Sequence, residues 1–258
     1  MYKLLNELLS DKKGGEVFSC FGICHIIYML IIFGGIAFFI LLLKNKSDSV
    51  KSRAVELSIS IAFGLYIADF FLMPFAYGKI DLEKLPFHAC TASCVCCFLS
   101  RKNTFLSRFK NELAILGLLS NIIYVIYPAG IGWYMIHPLS YRALQTLLFH
   151  GVMTAYGIFV LAFERSELRW KNSYKDLLVI VAMTVWALIG NTLYCGTAGD
   201  YSHNFNWFFV TQDPFYILPQ PIAPYVMPFV MIIVFYLADL LLYSIYFGVK
   251  KYRKKIDK

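Results

Sequence analysis

The fold class of this chain is decided by residues 19–43, SCFGICHIIYMLIIFGGIAFFILLL. This stretch contains no Asp, Glu, Lys or Arg, and a helix of its length covers the roughly 30 Å of hydrocarbon in a bilayer. Six further apolar stretches follow along the chain, at 54–77, 85–100, 111–128, 141–163, 176–198 and 222–249. With 59% hydrophobic residues and a mean hydropathy of +0.62, the sequence predicts an all-α, polytopic membrane helix bundle of seven transmembrane helices.

The basic residues of the loops predict how this bundle is oriented. Of the 24 Lys and Arg residues, 18 fall in four alternate segments, 44–53, 101–110, 164–175 and 250–258. Because cytoplasmic loops carry an excess of Lys and Arg, we expect the N-terminus outside and the C-terminus in the cytoplasm. The expected location is the cell (plasma) membrane, crossed several times. The net charge of +8 is then a topology signal, and no nucleic acid partner is expected.

Composition divides the chain into three parts. Residues 1–18 form an outer N-terminal segment whose leucines, spaced among charged residues, favour a short interfacial helix. Residues 19–249 form the membrane domain, and residues 250–258 form a basic cytoplasmic tail. The seven cysteines lack the spacing of a zinc or haem site, so no metal and no cofactor are expected.

Polar residues inside the predicted spans fall at similar depths. Ionisable groups in membrane helices usually face the bundle interior and mark function. Six polar residues lie roughly 8–14 Å from the outer ends of their spans: His25, Asp69, Cys90, Asn121, His150 and Asn191. His88 lies slightly above them. They predict a polar cavity open to the outside, although helix packing would explain any one of them. Asp239 lies deeper, where a structural role beside cytoplasmic cations or water is expected.

Cys90 and His150 are the candidate catalytic residues. Pro86 suits the first turn of a helix, and a helix N-terminus activates a nearby thiol. His150 is expected to accept the thiol proton, and Asp69 to orient its imidazole, because no Lys or Arg lies in a span to pair with Asp69. On a regular helix His88 would point away from Cys90, unless the turn at Pro86 is irregular. The structural alternative is a packing cysteine beside a hydrogen-bonded histidine.

Two further features fit acyl chemistry. Asn121 and Asn191, or backbone N–H groups after Pro86, are expected to donate hydrogen bonds to an oxyanion. The outer loop 199–221 holds seven aromatic residues and no Lys or Arg. Such a loop predicts either an interfacial anchor or a substrate lid, and its lid residues would be Trp207, Phe208 and Phe209.

Residues 85–90, LPFHAC, resemble the Leu-Pro-Leu-His-Leu-Cys signature of YwaF-like bacterial integral membrane proteins. His150, after Phe149, is similar to that family's second marked histidine. Asn191, the segment 206–209 and the pair 213–214 resemble its Asn…Asn-Tyr-Met-Phe…Pro stretch, although Phe and Ala replace two leucines of the signature. The family is distantly related to eukaryotic transmembrane protein 164, regarded as a lipid acyltransferase that uses a cysteine and a histidine. The resemblance implies these roles for Cys90 and His150.

These observations predict an intramembrane lipid acyltransferase or lipid-ester hydrolase. It would act on the acyl chains of membrane phospholipids, the expected partners, through a Cys nucleophile and a His base. The alternative is a small-molecule or lipid transporter or binding protein without catalysis. Transporters often carry inverted repeats, which this sequence lacks. A seven-span receptor shares the predicted architecture alone, and architecture does not decide function.

Overall fold

The computed structural model describes residues 17–77, 82–128, 131, 136–164, 168–194 and 205–256. Every regular element in these residues is helical, which confirms the predicted all-α class. The interfacial helix predicted for 1–18 falls outside them, apart from residues 17 and 18. The eight α-helices of the described part are α1 Ile23–Leu43, α2 Asp48–Tyr77, α3 Ala89–Ser100, α4 Thr104–Ser107, α5 Lys110–Ile126, α6 Tyr141–Phe163, α7 Ser173–Leu193 and α8 Ala223–Ile256. Short 3-10 helices occur at Leu82–Lys84, Trp170–Asn172 and Trp207–Phe209.

Five of these helices, α1, α2, α6, α7 and α8, are long and apolar enough to cross a bilayer. The third and fourth predicted spans are shorter, because α3 has 12 residues and α5 has 17. A full crossing takes about 20 residues. The described residues thus form a multi-pass membrane protein with five helices of spanning length, where the sequence predicted seven. The third span differs most, since its first four residues, 85–88, are not helical.

The two shorter helices lie within the bundle. Ten residues of α5 and six of α3 are buried, whereas α1 buries only three. Helices α5 and α6 approach each other closely, because a Cβ added to Gly157 would lie 2.6 Å from Leu118 Cβ. Small residues allow membrane helices to pack this tightly. Because longer helices surround α3 and α5, these two need not match the full thickness of the bilayer.

Ion pairs join the helix ends and distinguish the two ends of the bundle. At one end Arg101 pairs with Glu56 at 2.9 Å, and Lys110 pairs with Glu164 at 2.7 Å. We call this the basic end, because segments 44–53 and 101–110 lie there. At the other end Lys84 pairs with Asp69 at 2.7 Å. We call this the site end, and its placement on the outer side of the membrane stays a prediction.

Among the described residues, Asp239 has no cation beside it, although cations were one of the two partners expected for it, with water as the other. Its side chain is fully buried on α8, and neither carboxylate oxygen has a hydrogen-bond partner among the described residues. Its electrostatic neighbours are the acidic Asp176 of α7 and Glu112 of α5. Asp176 itself accepts a 2.8 Å hydrogen bond from the Tyr243 hydroxyl. Asp239 therefore faces the interior of the helix bundle, where no loop cation of the described residues pairs with it.

Candidate functional site

Three helices meet closely in the middle of the bundle. A Cβ atom added to Gly117 of α5 would lie 3.3 Å from Ser93 Oγ of α3 and 3.2 Å from Met153 Cε of α6. These three residues therefore mark one level of the structure. Helices α3 and α5 form a hairpin, so they run in opposite directions. Helix α6, whose end pairs with the start of α5, runs in the same direction as α3.

Three candidate residues lie about one helical turn from this level, toward the site end. Cys90 is three residues before Ser93, and His150 is three residues before Met153. Asn121 is four residues after Gly117. Each step corresponds to about 5 Å along a helix axis. Because these steps start from neighbouring residues, Cys90, Asn121 and His150 lie at a similar height. They are three of the six residues that the sequence assigned to a polar layer.

A hydrogen bond fixes the imidazole of His150. Its Nδ1 lies 2.7 Å from Asn121 Oδ1, and Asn121 Nδ2 donates to Gly117 O at 2.6 Å. The amide oxygen can only accept, so His150 Nδ1 carries the proton in this arrangement. The lone pair is then on Nε2, the atom that a general base needs. His150 is 5% exposed and stacks on Tyr124, with ring centroids 3.9 Å apart.

Cys90 lies in the first turn of α3 and is half-buried. The backbone N–H groups of Cys90 and Thr91 interact electrostatically with its thiol. The N-cap residue His88 makes no side-chain capping bond, so the first N–H groups of the helix are not occupied by a cap. Tyr124, the stacking partner of His150, is an electrostatic neighbour of the Cys90 thiol. One tyrosine therefore stacks on the candidate base and lies within electrostatic range of the candidate nucleophile.

The expectation that Asp69 orients His150 is wrong about the partner of this carboxylate. Lys84 reaches back to it, with a separation of 2.7 Å from Lys84 Nζ to Asp69 Oδ2. A long lysine side chain can place its charge well away from its own backbone, so a loop residue neutralises a carboxylate inside the span. Tyr66 fixes the same turn, because its hydroxyl donates to Lys84 O at 2.9 Å. Asp69 therefore holds the segment that leads into α3.

Asn191 is fully occupied by the loop after α7. Its Oδ1 accepts from Trp207 N at 3.0 Å, and its Nδ2 donates to Trp207 O at 3.0 Å and to Ala187 O at 2.9 Å. Neither Asn191 nor Asn121 has an N–H group directed at the layer of Cys90. The expected oxyanion role of both amides is therefore not supported. The first-turn N–H groups of α3 are the remaining donors.

The aromatic loop segment packs inside the bundle. Trp207 is 1% exposed and Phe208 is 2% exposed, so an interfacial anchor is the wrong interpretation for them. Trp207 Nε1 donates to Glu83 O at 3.3 Å, and Phe208 N donates to His88 Nδ1 at 3.2 Å. The Phe209 ring lies 5.9 Å from the His88 ring. His88 is the extended residue immediately before α3. The segment that contacts it therefore covers the helix end that carries Cys90.

His25 has a structural role in this arrangement. Its Nδ1 accepts from Phe21 N at 2.9 Å, and its Nε2 donates to Val125 O at 2.9 Å. Both ring nitrogens are thus occupied, and the side chain is fully buried. His25 fixes the start of α1 against the end of α5, one turn beyond Asn121. The sequence predicted that His25 supports the site from the polar layer. In the structure its ring joins two helices instead.

Tyr124 and Lys84 were not among the residues that the sequence predicted for the site. Tyr124 is three residues after Asn121, a spacing that places two side chains on one face of a helix and could have revealed it. Lys84 gave no such signal, because its contact with Asp69 depends on how the turn folds back. Among the described residues, no group of three or more His, Cys, Asp or Glu side chains could hold a metal ion.

Comparison with known proteins gives one match. Residues 20–244 match the family described as the TMEM164 family. This region begins before α1, ends within α8, and includes every candidate residue of the site. No curated protein and no solved structure matches the chain. Because the match extends over most of the sequence, the chain belongs to the TMEM164 family of membrane proteins.

Proposed function

We propose that this protein transfers or hydrolyses an acyl chain of a membrane phospholipid, with Cys90 as nucleophile and His150 as general base. The observation that carries the proposal is the Asn121–His150 hydrogen bond at the level of Cys90. A cysteine, a histidine and an orienting asparagine also form the catalytic group of papain-like proteases. The resemblance of residues 85–90 to the YwaF-like signature, which ends in this cysteine, supports the same assignment.

The first half of the proposed reaction acylates the enzyme. His150 Nε2 accepts the thiol proton, and the Cys90 sulfur attacks the ester carbonyl carbon. The oxyanion then faces the first-turn N–H groups of α3. As the tetrahedral intermediate collapses, the ester C–O bond breaks, and the departing lysophospholipid oxygen takes the proton from His150. The acyl chain remains bound to sulfur as a thioester.

The second half restores the thiol. An acceptor hydroxyl, an amine or water transfers its proton to His150 Nε2 and attacks the thioester carbonyl. The carbon–sulfur bond breaks, and the Cys90 sulfur recovers the proton. A lipid acceptor makes the protein a transferase, whereas water makes it a hydrolase. Asn121 stays hydrogen-bonded throughout, so the imidazole keeps one orientation for both proton transfers.

Substrate would reach this layer past the segment 205–209. Backbone N–H groups of this segment donate to the side chains of His88 and Asn191. A modest shift of the loop would exchange these hydrogen bonds for others. The segment would then act as a lid that excludes water once the acyl chain is bound. In the orientation that the loop charges predict, the phospholipid enters from the outer leaflet of the cell membrane.

Intact mass spectrometry of the purified protein incubated with phospholipid tests the proposal. We expect a hydroxylamine-sensitive mass increase of one acyl chain, absent in Cys90→Ala and retained in Cys96→Ala. Cys96 is the matched control, because it is also half-buried on α3. His150→Gln should slow adduct formation. An adduct that persists in Cys90→Ala would exclude this nucleophile. A complete absence of adduct, with unchanged lipid composition, would favour the non-catalytic transporter or binding protein.

A further inference from the structure

A shallow, open cleft, to which six polar or charged residues and one leucine contribute, lies at the basic end, away from Cys90. It has a volume of about 520 Å³ and lies between the first turns of α2 and the end of α3. Its lining consists of Ser49, Ser52, Arg53, Glu56, Leu57 and Ser60 from α2, with Arg101 after α3. Most of the polar residues recur at helical spacing and form a stripe on α2. The lining includes two guanidinium groups and one carboxylate, so the cleft keeps a net positive charge.

Arg101 is held in place by three contacts. Its Nε donates to Glu56 Oε2 at 2.9 Å, and its Nη1 donates to Ser60 Oγ at 2.8 Å. The guanidinium carbon lies 5.2 Å from the centre of the Phe98 ring. These contacts use Nε and Nη1, and among the described residues no hydrogen bond uses the N–H groups of Nη2. A guanidinium whose orientation is fixed in advance loses little conformational entropy when it binds an oxyanion.

Arg53 supplies the second cationic group. It lies one turn before Glu56 on α2, and the Arg101–Glu56 pair forms without it. The hydroxyl groups of Ser49 and Ser52 flank it on the same side of the helix. Guanidinium and hydroxyl donors around one cavity are the groups that bind phosphate oxygens, through charge-assisted hydrogen bonds.

We propose that this cleft binds the phosphate of an anionic phospholipid headgroup, between Arg53 and Arg101. The apolar surface next to the cleft favours a lipid over a free anion. Leu57 lines the cleft and is 61% exposed, and Ile61, one turn further along α2, is 45% exposed. Helix α2 is long and apolar enough to span the membrane, so its exposed leucine and isoleucine lie where acyl chains would. One helix face therefore offers donors to the headgroup and apolar surface to the chains.

The site is independent of the proposed acyl chemistry. It lies at the basic end, whereas Cys90 and His150 lie toward the site end, so a lipid bound here is not the reacting substrate. The binding also differs from the general attraction of basic loops to anionic lipid, which depends on the number of charges near the surface. Fixed guanidinium groups should make it depend on Arg53 and Arg101 in particular.

Native mass spectrometry of the full-length protein in delipidated micelles tests this site, with phosphatidylglycerol as the probe. We expect Arg53→Gln to weaken phosphatidylglycerol binding about tenfold, as for the loss of one charge-assisted hydrogen bond. Lys51→Gln is the matched control, because it removes the same charge from the same turn without lining the cleft. Its expected change is below about twofold. Arg101→Lys should also weaken binding, because an ammonium lacks the planar fork.

Three results would overturn the proposal. Equal losses in Arg53→Gln and Lys51→Gln would show unspecific surface attraction. Equal binding of phosphatidylcholine would show that the anionic headgroup is not recognised. Displacement of the lipid by millimolar inorganic phosphate would assign the cleft to a free anion. Thermal unfolding, measured in parallel, confirms that each variant is folded. Since the readout is binding, failure here leaves the acyl-adduct experiment unaffected.

Discussion

Replacing Asn121 by leucine tests whether the orientation of the His150 ring matters for acylation, because the ring itself is kept. Leucine has a similar size, but it cannot accept the proton of His150 Nδ1, now bonded at 2.7 Å. The imidazole would then be free to move its proton to Nε2 and to turn about its side-chain bonds. A histidine with Nε2 protonated has no lone pair on that nitrogen to accept the proton of Cys90. Asn121→Leu should therefore impair acylation while leaving both catalytic residues in place.

The expected magnitudes follow from burial. Asn121 is fully buried and His150 is 5% exposed, so water does not replace the lost acceptor. A buried donor without a partner costs about 1–3 kcal/mol, and hydrogen bonds between membrane helices contribute about 1 kcal/mol. We therefore expect the free energy of unfolding to fall by about 1–2 kcal/mol. Misorientation of a general base lowers rates by about a hundredfold, the expected effect on adduct formation.

Two measurements on the same samples check this prediction. Intact mass spectrometry gives the rate of acyl-adduct formation, and denaturant unfolding in micelles gives the stability. Thr154→Val is the matched control, because the Thr154 hydroxyl donates to His150 O of its own helix at 2.8 Å and is equally buried. That variant should acylate within about threefold of the unmodified protein. Asn121→Asp, which keeps an acceptor for the ring, should lose less activity than Asn121→Leu.

A folded Asn121→Leu protein that acylates at the original rate would refute the reasoning. Equal losses in Asn121→Leu and Thr154→Val would also refute it, since any disturbance near His150 would then suffice. A loss of rate in Asn121→Leu with recovery in Asn121→Asp is the result expected if the amide oxygen orients the ring.

Two further predictions concern Gly190 of α7 and the turn after Asp213. Gly190→Ala should destabilise the protein by about 1–3 kcal/mol in thermal or denaturant unfolding, because the added Cβ would lie 2.4 Å from the Phe87 ring. Gly64→Ala is its control and should change stability little, since nothing lies within 4 Å of that Cβ. Backbone N–H groups of the turn after Asp213, first that of Phe215, lower the pKa of this carboxyl. The ionised carboxyl of Asp213 therefore stabilises the folded turn at pH values above its ordinary pKa of about 3.9. This stabilisation is lost as the pH falls through the lower pKa of the folded protein. Hydrogen exchange of the turn, corrected for intrinsic rates, should show this loss in the original protein and not in Asp213→Asn.

Hydropathy predicted the helical class and the approximate bounds of most helices, because apolar side chains must cover the length of a helix in lipid. It overestimated the third span. Residues 85–88 are apolar enough to extend α3, yet they form an irregular turn. Trp186 Nε1 donates to Pro86 O at 2.6 Å, and Trp207 packs on Phe87 with ring centroids 4.9 Å apart. Such contacts come from distant parts of the chain and leave no local pattern.

Depth along the spans grouped Cys90, Asn121 and His150 with three other polar residues, because the rise of a helix converts sequence position into height. Depth did not predict which groups bond to each other. The partners of Asp69 and Asn191 come from loop positions, Lys84 and the backbone of Trp207. Loops have no fixed rise, so their reach into the bundle could not be calculated from the sequence.

The use of asparagine beside His150 follows from the surroundings of the site. A carboxylate at Asn121 would place an unpaired negative charge at a fully buried position, which is expensive inside a membrane protein. An amide oxygen fixes the same tautomer without that charge, so the resting site can stay neutral. The nearby carboxylate, Asp69, has its own cation in Lys84 and serves the turn before α3 instead. Charge would then appear in the layer only when the thiol proton moves to His150, where the uncapped N–H groups of α3 can stabilise the sulfur.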